Sequence, residues 1–269
     1  MKLFTSFDST KIWYNYIKGK KTCLVFLHGL SGSSSAWDPI STYFEKKGYS
    51  ILLVDTRGNG LSDKPVDKSK YTIKNASEDL YLLLKHLKIN EVILIGHCHG
   101  GIISQFFYDN HPNYVKKMIL ISTSAGFSKK GFRRLLNHTA YLIYYLFSIL
   151  LSPLHFEKNK KHLDYTKFGK GSDLNLIRIY KDMSATSFPV FLTFFREAMF
   201  LDISEKTKKI NVPVLIIHGK KDLIIQVKTA YEMNKLIKNS RLCILNTNHI
   251  SVFNAIQEII KEIDVFLEL

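Results

Sequence analysis

The sequence predicts an α/β fold with a mostly parallel central sheet, helices on both faces and an inserted helical cap. Short, unbroken apolar runs alternate with amphipathic helical patterns up to residue 123. Strands of a parallel sheet are buried on both faces and therefore show such continuous runs. The alternation stops there and resumes near residue 210. We therefore predict one α/β core formed by residues 1–123 and 210–269, with residues 124–209 as a helical cap or lid.

Apolar runs that end in glycine or polar residues predict the strands of this core. They are Cys23–Gly29, Ser50–Gly58, Glu91–His97, Lys117–Thr123, Val212–Asp222 and Arg241–His249. The segment Thr72–Leu87 predicts a helix, because threonine is a favourable N-cap and the leucines that follow fall on one stripe. A last helix is predicted from Ser251 to Leu269.

The predicted cap is rich in aromatic residues. Two interpretations fit them: they pack the cap onto the core, or they also line an apolar pocket for an acyl or aromatic group, since small-molecule sites are mostly apolar. The residues concerned are Tyr141, Tyr144, Tyr145, Phe191, Phe194 and Phe195.

The composition is that of an ordinary globular protein. Of the 269 residues, 46% are hydrophobic and 23% charged, which argues against a disordered or fibrous chain. The formal net charge of +15 favours attraction to anionic surfaces. However, the lysines are scattered, and no basic run is interleaved with stacking aromatic residues. We expect a lysine-rich solvated surface and no nucleic-acid partner.

Cysteine usage and the apolar runs predict a cytoplasmic protein without stable membrane insertion. Three widely spaced cysteines without a CxxC pair form no disulfide framework, and the N-terminus lacks the apolar segment of a signal peptide. The longest apolar run, Ala140–Leu151, is shorter than the span of about 20 residues that a membrane requires. A cap helix is favoured for this run and an interfacial helix is left open. The sequence does not determine the oligomeric state.

The stretch GHCHG, residues 96–100, predicts a nucleophile elbow. It follows a predicted strand and precedes a predicted helix, which is the context that such a turn requires. Gly96 and Gly100 avoid side-chain clashes in the tight turn, while Cys98 projects above the sheet. The start of the helix favours a thiolate and, later, an oxyanion.

Two residues further along the chain match the partners that such a nucleophile needs. Asp222 and His249 each follow a predicted strand, in the chain order nucleophile, acid, histidine. Both therefore lie at the carboxyl edge of the sheet, where open α/β sheets bind their ligands.

Two other interpretations of Cys98 are a metal ligand and an inert thiol. Neighbouring residues on a sharp turn, here His97, Cys98 and His99, point in diverging directions, whereas zinc ligands are usually spaced by two to four residues. We therefore expect no metal. Cys23 and Cys243 lie within predicted strands and are interpreted as small core residues.

Together these motifs make the chain resemble the α/β-hydrolase fold family over almost its whole length. FLHGLSGSSSAW resembles the oxyanion loop of that family, and VDTRGNGLSDKP resembles its D-x-R-G-x-G-x-S segment. The resemblance implies that Cys98 attacks, His249 transfers the proton and Asp222 orients the imidazole. It also implies that the backbone N–H groups of Leu30 and His99 stabilise the oxyanion, without a cofactor. The family usually has serine where this chain has cysteine.

The resemblance implies cofactor-independent hydrolysis of a small-molecule ester or thioester. Relatives that form alkyl esters, the epoxide hydrolases and haloalkane dehalogenases, carry aspartate at the elbow, so Cys98 argues against both activities. A thiolate is a strong nucleophile and gives a thioester intermediate. Two alternatives stay open: an acyltransferase that uses the same triad, and a ligand-binding protein in which Cys98 is inert.

Overall fold

The structure is a computed structural model. It describes residues 2–126, 171–173, 175–186 and 188–269, together with the single residues 139, 142, 162, 164 and 165. Its strands are β1 (Leu3–Thr5), β2 (Lys11–Ile17), β3 (Lys21–Leu27), β4 (Tyr49–Val54), β5 (Val92–His97), β6 (Val115–Ile121), β7 (Val214–Gly219) and β8 (Ser240–Leu245). The α-helices are α1 (Asp38–Lys46), α2 (Ile73–His86), α3 (His99–Asn110), α4 (Leu176–Thr186), α5 (Phe188–Phe200), α6 (Ser204–Thr207), α7 (Lys228–Leu236), α8 (Ser251–Asn254) and α9 (Ile256–Glu268).

The strands form one eight-stranded sheet in the order β1-β2-β4-β3-β5-β6-β7-β8. The six strands from β3 to β8 pair in parallel with one another, whereas β1 pairs antiparallel with β2, and β2 with β4. The predicted mostly parallel sheet is therefore confirmed. The antiparallel strands β1 and β2 lie on one side of the sheet, with β1 at its edge. They are formed by the N-terminal segment, for which we predicted no strand from the sequence.

Apolar side chains on the two faces of the sheet form two separate cores. Along β3, Val25 and Leu27 enter one core, whereas Leu24 and Phe26 enter the other. Helices α2 and α3 cover the first face, and α1 and α9 cover the second. Each fully buried aliphatic side chain stabilises the fold by roughly 1.5–3 kcal/mol. The six predicted parallel strands are dominated by such residues because both of their faces are covered.

Two predicted helices differ slightly from the observed ones. Thr72 caps α2 as predicted, with its hydroxyl accepting a hydrogen bond from the N–H group of Asn75 at 3.0 Å. The last predicted helix is divided in two, because Ala255, between α8 and α9, has φ −135° and ψ 43°. The break follows Asn254, whose side-chain amide is hydrogen-bonded to Gly171 in the predicted cap.

A buried ion pair anchors the D-x-R-G loop that follows β4. Arg57 donates two hydrogen bonds to the carboxylate of Asp79 on α2, at 2.7 and 2.6 Å. It also donates to the carbonyl of Lys70 at 2.9 Å. The guanidinium is fully buried and is also paired with Asp8 at 3.1 Å. Removal of Arg57 would therefore leave the buried carboxylate of Asp79 without its charge partner, so Arg57 has a structural place.

Of the predicted cap, the structure describes mainly the part after residue 170. There, α4 and α5 lie between β6 and β7 in the chain, so the sheet is assembled from residues on both sides of this segment. The cap boundaries at residues 124 and 209 remain a prediction. Tyr141, Tyr144 and Tyr145 and most of the Ala140–Leu151 run lie outside the described residues. Within the part of the chain that is described, no helix is both long enough and apolar enough to cross a membrane.

A carboxylate on α5 joins that helix to the core. Glu197 accepts a hydrogen bond from the N–H group of Ile73, at the first turn of α2, over 2.7 Å. A helix N-terminus favours a negative group. Burial nevertheless raises the pKa of Glu197 from its ordinary 4.5 to about 7, although the hydrogen bond from Ile73 acts to lower it.

The raised pKa of Glu197 predicts that Glu197→Gln changes how stability depends on pH. Between pH 4.5 and 7 the folded chain binds a proton that the unfolded chain has lost, so the wild type loses stability as the pH rises through this window. We therefore expect the free energy of unfolding of the variant, relative to that of the wild type, to increase by about 1–2 kcal/mol as the pH rises from 4.5 to 7. The figure is kept small because the carboxylate is partly exposed. Urea unfolding at several pH values measures this. Exposed Glu205→Gln is the control, and parallel pH profiles for Glu197→Gln and wild type would contradict the prediction.

Candidate active site

Cys98 occupies a strained turn between β5 and α3. Its φ is 50° and its ψ −113°, a region that non-glycine residues rarely occupy and that costs on the order of 1–3 kcal/mol. The surroundings hold it there: its N–H donates to the carbonyl of Ile121 at 3.0 Å, and its carbonyl accepts from the hydroxyl of Thr123 at 2.6 Å. The thiol-bearing residue is partly exposed, so the predicted elbow presents an accessible sulfur.

Two glycines of the predicted elbow have no room for a side chain. A Cβ atom on Gly96 would lie 2.5 Å from the carbonyl oxygen of Gly100, and one on Gly100 would lie 2.2 Å from that of Leu27. Both contacts are with backbone, which cannot move aside as a flexible side chain can. These glycines therefore permit the close packing of α3 against β3 and β5 that fixes the turn.

Asp222 and His249 meet at the same edge of the sheet, just after β7 and β8. The Nδ1 atom of His249 lies 2.8 Å from Oδ2 of Asp222. The other carboxylate oxygen of Asp222 accepts from the N–H groups of Ile224 and Ile225, at 2.9 and 2.7 Å. The carboxylate is thus held by the backbone of its own loop. It orients the imidazole and fixes which of its nitrogens faces away.

Electrostatics connect Cys98 to this pair. Burial by itself lowers the pKa of His249, but the charge of a Cys98 thiolate, the hydrogen bonds to Asp222 and Cys98 and the charge of Asp222 raise it to about 10. Burial acts to raise the pKa of Asp222, and hydrogen bonds from His218 and His249 hold it well below its usual range. The predicted residues Cys98, His249 and Asp222 therefore lie together at this edge of the sheet: Asp222 is hydrogen-bonded to the imidazole of His249, and Cys98 is close enough to that imidazole to raise its pKa.

The two histidines beside Cys98 point away from it in different directions. The Nε2 atom of His97 is 3.0 Å from the carbonyl of His249. His99 packs edge-on against Phe194 of α5, with ring centroids 4.8 Å apart. Burial lowers the pKa of both imidazoles to about 3, so both are neutral near pH 7. No cluster of three or more His, Cys, Asp or Glu residues suited to a metal occurs among the described residues.

The predicted oxyanion donors lie on either side of the elbow. His99 is the first residue of α3, where a backbone N–H has no carbonyl of its own helix to bond. Leu30 follows Gly29, at which a Cβ atom would be 3.4 Å from that of Cys98. The loop that contains His28 and Gly29 therefore runs directly beside Cys98. The assignment of Leu30 and His99 as donors remains a prediction.

Three of the described aromatic residues of the predicted cap lie close to this site or to each other. Phe194 is buried against Tyr71, Val190 and the partly buried Leu30, and it also contacts His99. Phe191 stacks on Phe195 with centroids 5.7 Å apart. The apolar ring of Phe194 thus lies beside Leu30 and His99, the two predicted oxyanion donors.

The other two cysteines have surroundings that disfavour a thiolate. Burial raises the pKa of Cys23 to about 12, and burial together with the nearby Glu262 raises that of Cys243 to about 11. Neither lies at the carboxyl edge of the sheet near His249. Among the described residues, Cys98 is the cysteine that lies beside His249.

The structure adds two residues that the sequence analysis did not place at the site. The Nε2 atom of His218 lies 2.7 Å from the carbonyl oxygen of Ile225 and 3.3 Å from the carboxylate of Asp222. Asp173, from the polar stretch KFGKGSDLN, accepts a hydrogen bond from the N–H of His249 at 2.8 Å. That stretch has no periodicity, so the sequence carries a signal only for a polar segment and none for its partner.

Known proteins resemble this chain in sequence. It is 27% identical to the proline iminopeptidase of Saccharolobus solfataricus, over 94% of this chain and 86% of that protein. It is 25% identical to 3-oxoadipate enol-lactonase 2 of Acinetobacter baylyi, over 92% of this chain and 89% of that protein.

Solved structures show the same fold. The esterase of Exiguobacterium antarcticum superposes on this chain with a TM-score of 0.79, at 22% identity over 99% of each chain. A family model described as alpha/beta hydrolase fold matches residues 22–255. Because this match covers most of the sequence, including the elbow, Asp222 and His249, the chain belongs to the α/β hydrolase fold family.

Proposed function

We propose that this protein hydrolyses carboxylic esters or thioesters by acyl transfer through Cys98, with His249 as acid and base and Asp222 as the group that orients it. The observation that carries the proposal is that the partly exposed Cys98 lies at a strained elbow beside His249, whose imidazole is hydrogen-bonded to Asp222 at 2.8 Å. The named relatives, an iminopeptidase and a lactonase, support a hydrolase in general. We favour ester or thioester chemistry over amide cleavage because expulsion of an amine demands more of the general acid.

In the first step the thiolate of Cys98 attacks the carbonyl carbon of the substrate. A carbon–sulfur bond forms, and the carbonyl electron pair moves onto oxygen. The backbone N–H groups of Leu30 and His99 would donate to this oxyanion, and fixed donors of this kind are usually the largest single contribution to catalysis. Collapse of the tetrahedral intermediate expels the alcohol or thiol, which takes its proton from His249.

Acylation itself prepares His249 for the second step. The negative charge on Cys98 is the largest of the influences that raise the pKa of His249, and formation of the thioester removes that charge. His249, having given its proton to the leaving group, therefore stays neutral and can accept one from water. The hydroxide so formed adds to the thioester and the carbon–sulfur bond breaks. The carboxylic acid leaves, and Cys98 is again a thiolate beside His249, which keeps the proton it took from water.

The proposal predicts a transient acyl adduct on Cys98. With a short-chain nitrophenyl ester, intact-mass spectrometry of the wild type should show the acyl mass during steady product release. Cys98→Ala should show no adduct and a loss of turnover of at least about 10⁴-fold, because removal of a triad member has this effect. Cys243→Ala is the matched control, and it should keep both the adduct and the turnover.

The other outcomes of this measurement separate the alternatives. A lasting adduct that is discharged only when an alcohol, amine or thiol is added would identify an acyltransferase. Turnover retained by Cys98→Ala would refute the assigned nucleophile. No adduct and no turnover in the wild type, across esters and thioesters of different chain length, would leave a ligand-binding scaffold with an inert thiol.

The raised pKa of His249 predicts how acylation depends on pH. With an alkyl ester, whose leaving group needs a proton, the acylation rate should fall as the pH rises through about 10, where His249 loses its proton. With a nitrophenyl ester, whose leaving group departs as an anion, no such fall is expected. In Asp222→Asn the fall should move to lower pH, because one of the groups that raise the pKa is lost. Rapid-quench measurement of the adduct decides this, and identical profiles for the two esters would contradict it.

A further inference from the structure

One carboxylate of the predicted cap bridges the two loops that carry the proposed acid and base. Asp173 accepts a hydrogen bond from the N–H of His249 through Oδ1, at 2.8 Å, and one from the N–H of Leu223 through Oδ2, at 3.0 Å. Leu223 directly follows Asp222. The side chains of Asp222 and His249 are hydrogen-bonded to each other, and Asp173 accepts hydrogen bonds from the backbone of the same two loops.

The segment around Asp173 is fixed to the histidine loop at a second place. The carbonyl of Gly171 accepts hydrogen bonds from the side-chain amides of Asn248 and Asn254, each at 2.8 Å. The N–H of Gly171 donates to Oδ1 of Asn254 at 3.1 Å. Gly171–Asp173, which we call the clip, therefore contacts the residue before His249, His249 itself and the helix that follows.

The burial of Asp173 argues that the contact is specific. The residue is only 3% exposed, and a buried carboxylate is costly unless hydrogen bonds compensate it. Both of its oxygens have N–H donors on the catalytic loops, and the guanidinium of Arg178 donates to its backbone carbonyl at 3.2 Å. An apolar residue would pack there without this cost, but it would not join the two loops.

We propose that Asp173 is a positioning residue that holds His249 and Asp222 in register, so that docking of the clip aligns the acid and base with Cys98. The proposal rests on the function proposed above. Its physical basis is the sensitivity of catalysis to geometry: a misplacement of about 1 Å can cost about 100-fold in rate. Asp173 itself touches neither the sulfur nor the imidazole ring and acts through the backbone.

The test compares Asp173→Ala and Asp173→Asn with a matched control. Asp182→Asn removes another carboxylate of the predicted cap, which is partly buried and accepts from the hydroxyl of Tyr165 at 2.9 Å. In the part of the chain that the structure describes, it has no hydrogen bond to the loops of Asp222 and His249. For Asp173→Ala we expect kcat to fall about 100-fold with KM within about two-fold. Asp173→Asn keeps one acceptor but turns an amide N–H₂ toward the other donor, so a loss of about 10-fold is expected. Asp182→Asn should stay within about two-fold of the wild type.

A second readout does not depend on ester turnover. The rate at which iodoacetamide alkylates Cys98, followed by intact mass at pH 7, reports how well His249 stabilises the thiolate. His249→Ala sets the lower limit. We expect Asp173→Ala to fall toward that limit and Asp182→Asn to match the wild type, with thermal unfolding used to check that each variant is folded.

The two readouts separate failure of this proposal from failure of the proposed function. If the wild type never forms an acyl adduct but alkylation slows in Asp173→Ala, the positioning role stands and the acyl-transfer function falls. If folded Asp173→Ala retains wild-type kcat and alkylation rate, the positioning role is refuted. Should Asp173→Ala not fold, Asp173→Asn decides in the same way.

Discussion

The backbone at Cys98 is held at a positive φ, and the position of the other reacting groups depends on it. The conformation is unfavourable by itself, so the surroundings have to stabilise it. Hydrogen bonds to the carbonyl of Ile121 and from the hydroxyl of Thr123 hold the turn on one side. On the other side, Gly96 and Gly100 let strand and helix approach to distances that no side chain permits. The sulfur is thereby lifted to the sheet edge at which the loops after β7 and β8 end.

In the proposed mechanism, the charge on the sulfur determines what His249 does. A negative charge on Cys98 raises the pKa of the imidazole, and Asp222 adds to this from the other side. Once the sulfur is acylated, one of these two negative neighbours is gone and the ring is free to act as a base. The same residue can thus serve as acid in one half-reaction and base in the next, because its pKa follows the chemical state of its neighbour.

The parts of the site that the sequence predicts are those with strong local requirements. A turn that tolerates only glycine at fixed positions leaves a readable motif, and strands buried on both faces leave apolar runs that place Asp222 and His249. Asp173 leaves no such trace, since its partners Leu223 and His249 lie 50 and 76 residues further along the chain. The break at Ala255 was missed for a similar reason. It lies within an otherwise helical apolar pattern, next to a contact with Gly171.

The replacement of serine by cysteine makes the alignment of His249 more consequential. A thiolate forms readily beside an imidazolium and attacks without further help, whereas the resulting thioester needs an activated water to be hydrolysed. Activation of that water depends on the position of the imidazole ring. The hydrogen bond to Asp222 and the hydrogen bond made by the backbone N–H of His249 hold the ring in place. Under the proposed mechanism, the balance between hydrolysis and transfer to another acceptor therefore depends less on the nucleophile than on the groups that hold His249, and we propose Asp173 as one of these groups.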